Sequence, residues 1–273
     1  QNTTANETFY VRIQNNQTLC VNDDTSLELI INTLPDFEVT TPQILCLNDT
    51  PLNISVENAR DQYSYLWTDE NGTPLNNATS VDNIDVVKAG KYTVTATTTD
   101  GTLCERSETI EIIESNIATL EQSFVTIIDE SNNIGSEDNI SISIDTINND
   151  LGPGDYQFAI LNQDDNTRIP IIGFQDEPLF ENLEGGIYTI IVNDKNGCSP
   201  DTTLEVSVIQ FPKFFTPNAD GSNDTWIVKG ANQTFYPNSS INIFNRYGKI
   251  VAQVPIDSQG WNGMYQGKLL PSD

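Results

Sequence analysis

Apolar and polar residues alternate over short stretches along most of the chain. FYVRI (9–13), YTVTATT (92–98), NISISID (139–145) and YTIIVND (188–194) each place an apolar side chain at every second position. That is the period of a strand with one buried face. No stretch keeps a convincing helical period. SNIATLEQSFVTII (115–128) comes nearest, but its β-branched ending favours a strand. The expected fold class is all-β.

One pattern recurs three times. Tyr10 is followed by Cys20 and SLELII (26–31), Tyr92 by Cys104 and ETIEII (108–113), and Tyr188 by Cys198 and TTLEVSV (202–208). The Tyr-to-Cys steps are 10, 12 and 10, and the steps from Cys to Glu28, Glu111 and Glu205 are 8, 7 and 7. Asp100-Gly101 and Asn196-Gly197 lie just before the second and third cysteines and supply the positive φ that tight hairpins need. Each copy therefore reads as strand, turn, strand, and recurrence at this spacing marks tandem modules. Residues 1–35 are read as the last hairpin of a module whose beginning is cut off. Residues 36–115 and 116–210 are read as two whole modules, and 211–273 as a different, smaller β-rich domain. Module length and turn spacing point to Ig-like β-sandwiches. Cys46, Trp67 and Cys104 fall in the immunoglobulin order, and a Cys46–Cys104 disulfide is expected; it would close a loop worth about 3 to 4 kcal/mol. Tyr92 stands twelve residues before Cys104 where a tyrosine corner wants two, so Cys104 is placed beyond the hairpin turn. Cys20 and Cys198 are left without an assigned partner.

Charge narrows the function. The 273 residues hold 12 Lys plus Arg against 39 Asp plus Glu, a net charge of −27, and no histidine. Nucleic acid is excluded as a partner because its binding rests on cations neutralising phosphate, and docking to an anionic lipid face is excluded on the same ground. No apolar run approaches the roughly 18 residues of a membrane span. Without histidine the usual Ser-His-Asp and Cys-His sites cannot be built, no carboxylate pair stands out, and no phosphate loop is present. A non-catalytic chain is expected. Widely spaced cysteines without a C-x-x-C fit an oxidising, extracytoplasmic setting. QNTTANETFY has neither the basic end nor the apolar core of a signal peptide, so the chain reads as a fragment of something longer.

FFTPNADGSNDTW (214–226) is the densest motif. Asn218, Asp220, Ser222 and Asp224 alternate around Gly221, as oxygen ligands do in Ca²⁺ loops. No Glu stands at a twelfth position, so an EF-hand is excluded. The competing reading is an Asx-rich turn whose side chains satisfy their own backbone.

From Phe211 the blocks FPKFFTPNADGSNDTWIVKG, FYPNSSINIFNRYGKIV and GWNGMYQGKLLPSD closely resemble the gliding-motility-associated C-terminal domain of Bacteroidetes surface proteins, the type B sorting domain of the type IX secretion system. Ala219 stands where the family commonly has glycine, and family members normally continue past LPSD into an aromatic strand and a basic stretch. The resemblance implies export across the outer membrane to the cell surface, recognition by outer-membrane barrels of the SprF kind and by the translocon, and a parent protein like the SprB gliding adhesins. It implies Phe214, Phe215, Pro217, Asn218, Trp226, Arg246, Tyr247, Lys249 and Trp261 as the recognition residues, carried on a rigid turn and hairpin. Arg246 and Lys249 also read as exposed cations that keep a hairpin edge from aggregating. Two rivals remain open: the non-catalytic tail of a large secreted hydrolase, and a Ca²⁺-dependent carbohydrate-binding module.

Overall fold

The computed structural model describes residues 6–75, 80–129, 139–163, 167 and 169–270, with the backbone alone at 22–25. The chain divides into two compact units, residues 1–114 and 115–273. Apart from one 3-10 turn at Gln122–Phe124, every element in the described residues is a strand. The strand ending of 115–128 is thus observed as Val125–Asp129, directly after that turn.

In the first unit, β1 (Glu7–Gln14) and β2 (Val21–Leu29) form an antiparallel hairpin. Six strands follow: β3 (Gln43–Cys46), β4 (Leu52–Ser55), β5 (Tyr63–Thr68), β6 (Asn83–Val86), β7 (Gly90–Thr98) and β8 (Glu105–Ser115). They make a four-stranded sheet in the order β3-β8-β7-β5 and a two-stranded sheet β4-β6. The inward residues of both sheets, among them Leu45, Ile54, Val86, Val94, Ala96, Ile110 and Ile112, close one core around Trp67, which is fully buried. Burying such side chains at about 1.5 to 3 kcal/mol each is what holds a sandwich of this size together. The Trp67 indole N–H donates to the Val81 carbonyl at 3.0 Å, so its one polar atom is satisfied.

The second unit repeats the plan. β9 (Val125–Asp129), β10 (Ile140–Ile144) and β13 (Leu179–Leu183) form one sheet; β11 (Tyr156–Asn162), β12 (Ile172–Gln175), β14 (Gly186–Asp194) and β15 (Thr202–Val208) form the other, in the order β12-β11-β14-β15. Ile140, Ile142, Phe180, Tyr188, Ile190 and Val206 lie at its centre. The first strands differ between the modules: β3 joins the hairpin sheet beside β8, whereas β9 pairs with β10 in the opposite sheet. Beyond β15 come two small hairpins, β16 (Ser240–Phe244) with β17 (Ile250–Pro255), and β18 (Met264–Tyr265) with β19 (Lys268–Leu269).

The recurring hairpins share their turns. Asn15 Oδ1 accepts the N–H groups of Gln17 and Thr18, Asp100 Oδ1 that of Thr102, and Asp194 Oδ1 that of Asn196. The residue just before each cysteine is left-handed: Leu19 at φ 58°, Leu103 at 54° and Gly197 at 95°. Two expectations are corrected here. The tyrosine corner exists without its cysteine: Tyr92 Oη donates to the Lys88 carbonyl at 2.9 Å and Tyr188 Oη to the Glu184 carbonyl at 2.8 Å. The Cys46–Cys104 bridge does not form, because Cys104 is a free thiol. It precedes the first ladder residue of β8, at the turn end of the hairpin, as its spacing implied; its own N–H is held by Thr98 Oγ1 at 2.9 Å. An inter-sheet bridge needs a cysteine in mid-strand on the inward face. Cys198 is buried at 2% exposure, with its N–H on Asp194 Oδ2.

Candidate partner-recognition site

The C-terminal segment is seated on the second module by backbone. Gln210 and Lys229 exchange both of their peptide hydrogen bonds. Ser207 Oγ donates to the Gly230 carbonyl at 2.9 Å, and Lys229 pairs with Glu184. A methyl group at Gly230 would sit 2.1 Å from the Val208 carbonyl oxygen, so only glycine fits there. Val228, Val254 and Ile256 of the segment are buried, and none of them belongs to the core of the module.

Within it, two tryptophans set the frame. Trp226 and Trp261 exchange both backbone hydrogen bonds, at 2.8 and 2.9 Å. The indole N–H of Trp226 donates to the Pro212 carbonyl and that of Trp261 to the Met264 carbonyl. Phe211 stacks on Trp226 and Phe215 tilts onto Trp261, with ring centres 6.4 and 5.6 Å apart. The glycines of GWNG are required by this packing: Gly260 has φ 84°, and a Cβ there would lie 2.5 Å from the Trp226 carbonyl oxygen.

The FFTPNADGSND loop is folded around one carboxylate. Asp224 Oδ1 accepts the N–H groups of Asn218 at 3.1 Å and Ala219 at 2.6 Å, and its Oδ2 accepts that of Gly221 at 2.8 Å. Asp220 Oδ1 accepts the Ser222 N–H at 2.8 Å, and Asn218 Oδ1 accepts the Asp220 N–H at 3.1 Å. The bond from Ser222, with that from the Asn218 side chain, holds the Asp220 carboxyl below its ordinary pKa. Ala219 is left-handed at φ 61°, which accounts physically for glycine being common at that place. The side-chain oxygens of Asn218, Asp220 and Asp224 thus accept the loop's own amides. Asp220 and Asp224 are the only carboxylates of the set, and among the described residues no three Asp, Glu, Cys or His side chains gather as a metal cage.

The β16–β17 turn is built alike: Asn245 Oδ1 accepts the N–H groups of Tyr247 and Lys249, both at 3.0 Å, and Gly248 takes φ 76°. Between this hairpin, the FFTPN loop and β19 runs a groove of about 840 Å³ lined by Phe215, Pro217, Asn218, Arg246, Tyr247 and Trp261, together with Phe244, Leu269 and Leu270. A smaller hollow of about 330 Å³ beside it, lined by Lys213, Phe214 and Trp226, shares Phe215, Ile243 and Trp261. Eight of the nine expected recognition residues therefore meet on two adjoining hollows. Lys249 lines neither; its ammonium lies 5.3 Å from the centre of the Tyr265 ring, whose hydroxyl raises the lysine pKa. Arg246 lies over its neighbour Tyr247, 5.2 Å from that ring's centre. Phe244 and Leu269, with 56% and 54% exposure, are groove residues that strand alternation alone did not single out. The LPSD motif beyond Leu270 lies outside the described residues.

Charge separates this segment from the rest. Residues 211–273 hold five of the 12 basic residues and four of the 39 acidic ones, a net +1, against −28 for residues 1–210. The type IX secretion signal domain of the CHU_C family matches residues 209–272. The C-terminal segment is a type IX sorting domain. No curated protein sequence matches the chain. Among solved structures it is similar to Sidekick-1 immunoglobulin domains 1–5, at 14% identity and a TM-score of 0.34 over 77% of this chain and 49% of that one, so it spans about half the length of that relative. It is similar to murine CEACAM1b, at 12% identity and 0.39, over 63% and 97%. It is also similar to the fibronectin(III)-like modules of Clostridium thermocellum CbhA, at 15% identity and 0.32, over 63% and 94%. At these scores the fold assignment rests on the strand order and cores above. A type IX secretion signal domain implies export to an extracellular or cell-surface location and interaction with the secretion machinery. No described helix is long and apolar enough to cross a membrane.

Proposed function

We propose that the chain is the non-catalytic end of a large surface adhesin of the gliding type, with Ig-like modules as stalk and the sorting domain as an address read by an outer-membrane barrel of the SprF kind, where the protein stays attached. The observation that carries this reading is the convergence of the matched motif on an exposed aromatic groove. The groove is walled by loops whose shape is fixed by Asp224 and Asn245, on the one near-neutral part of a strongly acidic chain. A receptor needs a shape that does not relax when it is gripped, and preorganisation of this kind lowers the ordering cost of binding. The test is a set of rim substitutions that leave the frame alone: Phe214→Ser, Arg246→Glu and Tyr247→Ser, at side chains that are all exposed. Surface display is read by protease accessibility on intact cells carrying the type IX apparatus. The expected result is periplasmic retention with unchanged thermal unfolding; normal display of the triple variant would remove the groove from the account.

A further inference from the structure

The three repeated hairpins do not end up alike. In the two complete modules the hairpin is half of a sandwich. Val94, Ala96, Ile110 and Ile112 on β7–β8, and Tyr188, Ile190, Val206 and Val208 on β14–β15, are each 2% exposed or less. In both, a second sheet covers that face, and a further strand pairs antiparallel along the outer edge of the hairpin's first strand, β5 on β7 and β11 on β14. The β1–β2 hairpin has the same capped turn and the same left-handed residue before its cysteine. Its corresponding face carries Phe9, Val11, Leu27 and Leu29, which are 43% to 61% exposed. Phe9 faces Leu27 across the ladder as Tyr92 faces Ile110 and Tyr188 faces Val206. Phe9, and not Tyr10, is therefore the residue in the core phase; Tyr10 points with Thr8, Ser26 and Glu28 to the polar side.

We propose that this apolar face is the inner face of a further sandwich and is covered by strands of the same polypeptide lying N-terminal to β1, one of them pairing antiparallel with the edge of β1 that no described strand pairs. The face continues an interface that the chain already builds twice. In both built copies the facing sheet and the edge strand come from the residues before the hairpin: β4 and β6 with β5 in one, and β9, β10 and β13 with β11 in the other. An isolated two-stranded hairpin is at best marginally stable in water, so a cover changes its behaviour measurably.

Hydrogen exchange tests this, on the Gln1–Asp273 chain and on the natural polypeptide lengthened N-terminally by one module. The amides of β1 and β2 are expected to exchange at least about tenfold more slowly in the longer chain, approaching those of β7 and β14. In the longer chain Phe9→Ala is expected to lower the unfolding midpoint and Tyr10→Ala to leave it in place. Three outcomes would overturn the proposal. One is slow exchange of the hairpin in monomeric Gln1–Asp273. Another is protection that appears there only as concentration and dimer mass rise, which would make a second copy the cover. The third is a longer chain whose hairpin still exchanges fast.

Discussion

Replacing Asp224 with alanine removes the carboxylate around which the sorting-domain loop is wound. Three backbone N–H groups lose their acceptor, those of Asn218, Ala219 and Gly221. A hydrogen bond to a charged group contributes about 1.5 to 3 kcal/mol when shielded. These donors sit on exposed residues where water can take over, so about 0.5 to 1 kcal/mol each is the appropriate scale, roughly 1.5 to 3 kcal/mol in total. That corresponds to local opening roughly 10 to 160 times more frequent. The assay is hydrogen exchange at the paired amides of Trp226 and Trp261, which report the frame beneath the loop, with the amides of β7 as an internal control in the other unit. Asp224→Asn keeps one acceptor oxygen and should fall between. If Asp224→Ala exchanges like the parent at both tryptophans, the carboxylate does not organise the site. If millimolar Ca²⁺ slows exchange in the parent and not in Asp224→Ala, the loop is a cation site and the turn explanation is wrong.

Other substitutions probe the remaining links. Gly230→Ala places a methyl carbon against the Val208 carbonyl at a left-handed residue and should cost about 2 to 5 kcal/mol, detaching the sorting domain in limited proteolysis while leaving β14–β15 protected; wild-type resistance would contradict that seating. Tyr188→Phe deletes the corner hydroxyl at a residue only 1% exposed and should lower stability by about 1 kcal/mol in urea unfolding; no loss would mean the corner is incidental. Burial, with Asp194 and Asp150 nearby, pushes the Tyr156 hydroxyl up to about 12. The neutral phenol is thus favoured in the folded state, and its contribution is complete below the ordinary tyrosine pKa of 10 and lost as pH climbs from 10 through about 12. Thermal midpoints above pH 10 should therefore fall faster for the wild type than for Tyr156→Phe, and parallel curves would refute the assignment.

What could be seen beforehand followed the range of the interactions involved. Strand alternation is local, so YTVTATT and YTIIVND were legible as β7 and β14 to within a residue or two. The spacing of Cys104 rightly put it beyond a turn, yet the immunoglobulin order still drew it into a bridge, because the pairing of cysteines depends on three-dimensional distance and the order of residues does not encode it. The tyrosine corners were missed by tying them to cysteine, although each hydroxyl reaches a carbonyl just four residues upstream, Lys88 or Glu184, a spacing present in the sequence. Tyr10 was aligned with Tyr92 by counting to the cysteine, and one residue of slip reverses its face; only the ladder register shows Phe9 in that role. At the site, the motif named the right neighbourhood but could not place Phe244 or Leu269, since the groove exists only where β16, β19 and the FFTPN loop come together. Three of the four alternating residues, Asn218, Asp220 and Asp224, hold backbone amides with their side-chain oxygens, a pairing that their spacing alone did not reveal.

The central claim is that the sorting domain is a self-sufficient, rigid address. Its most direct measurement is the destination of a periplasmic reporter fused to the segment from residue 209 to the natural C-terminus, in cells with the type IX apparatus. Surface exposure of the fusion, abolished by Gly260→Ala through loss of the Trp226–Trp261 frame, is the predicted result. A reporter that stays in the periplasm, or one that reaches the surface equally well with that frame broken, would contradict it.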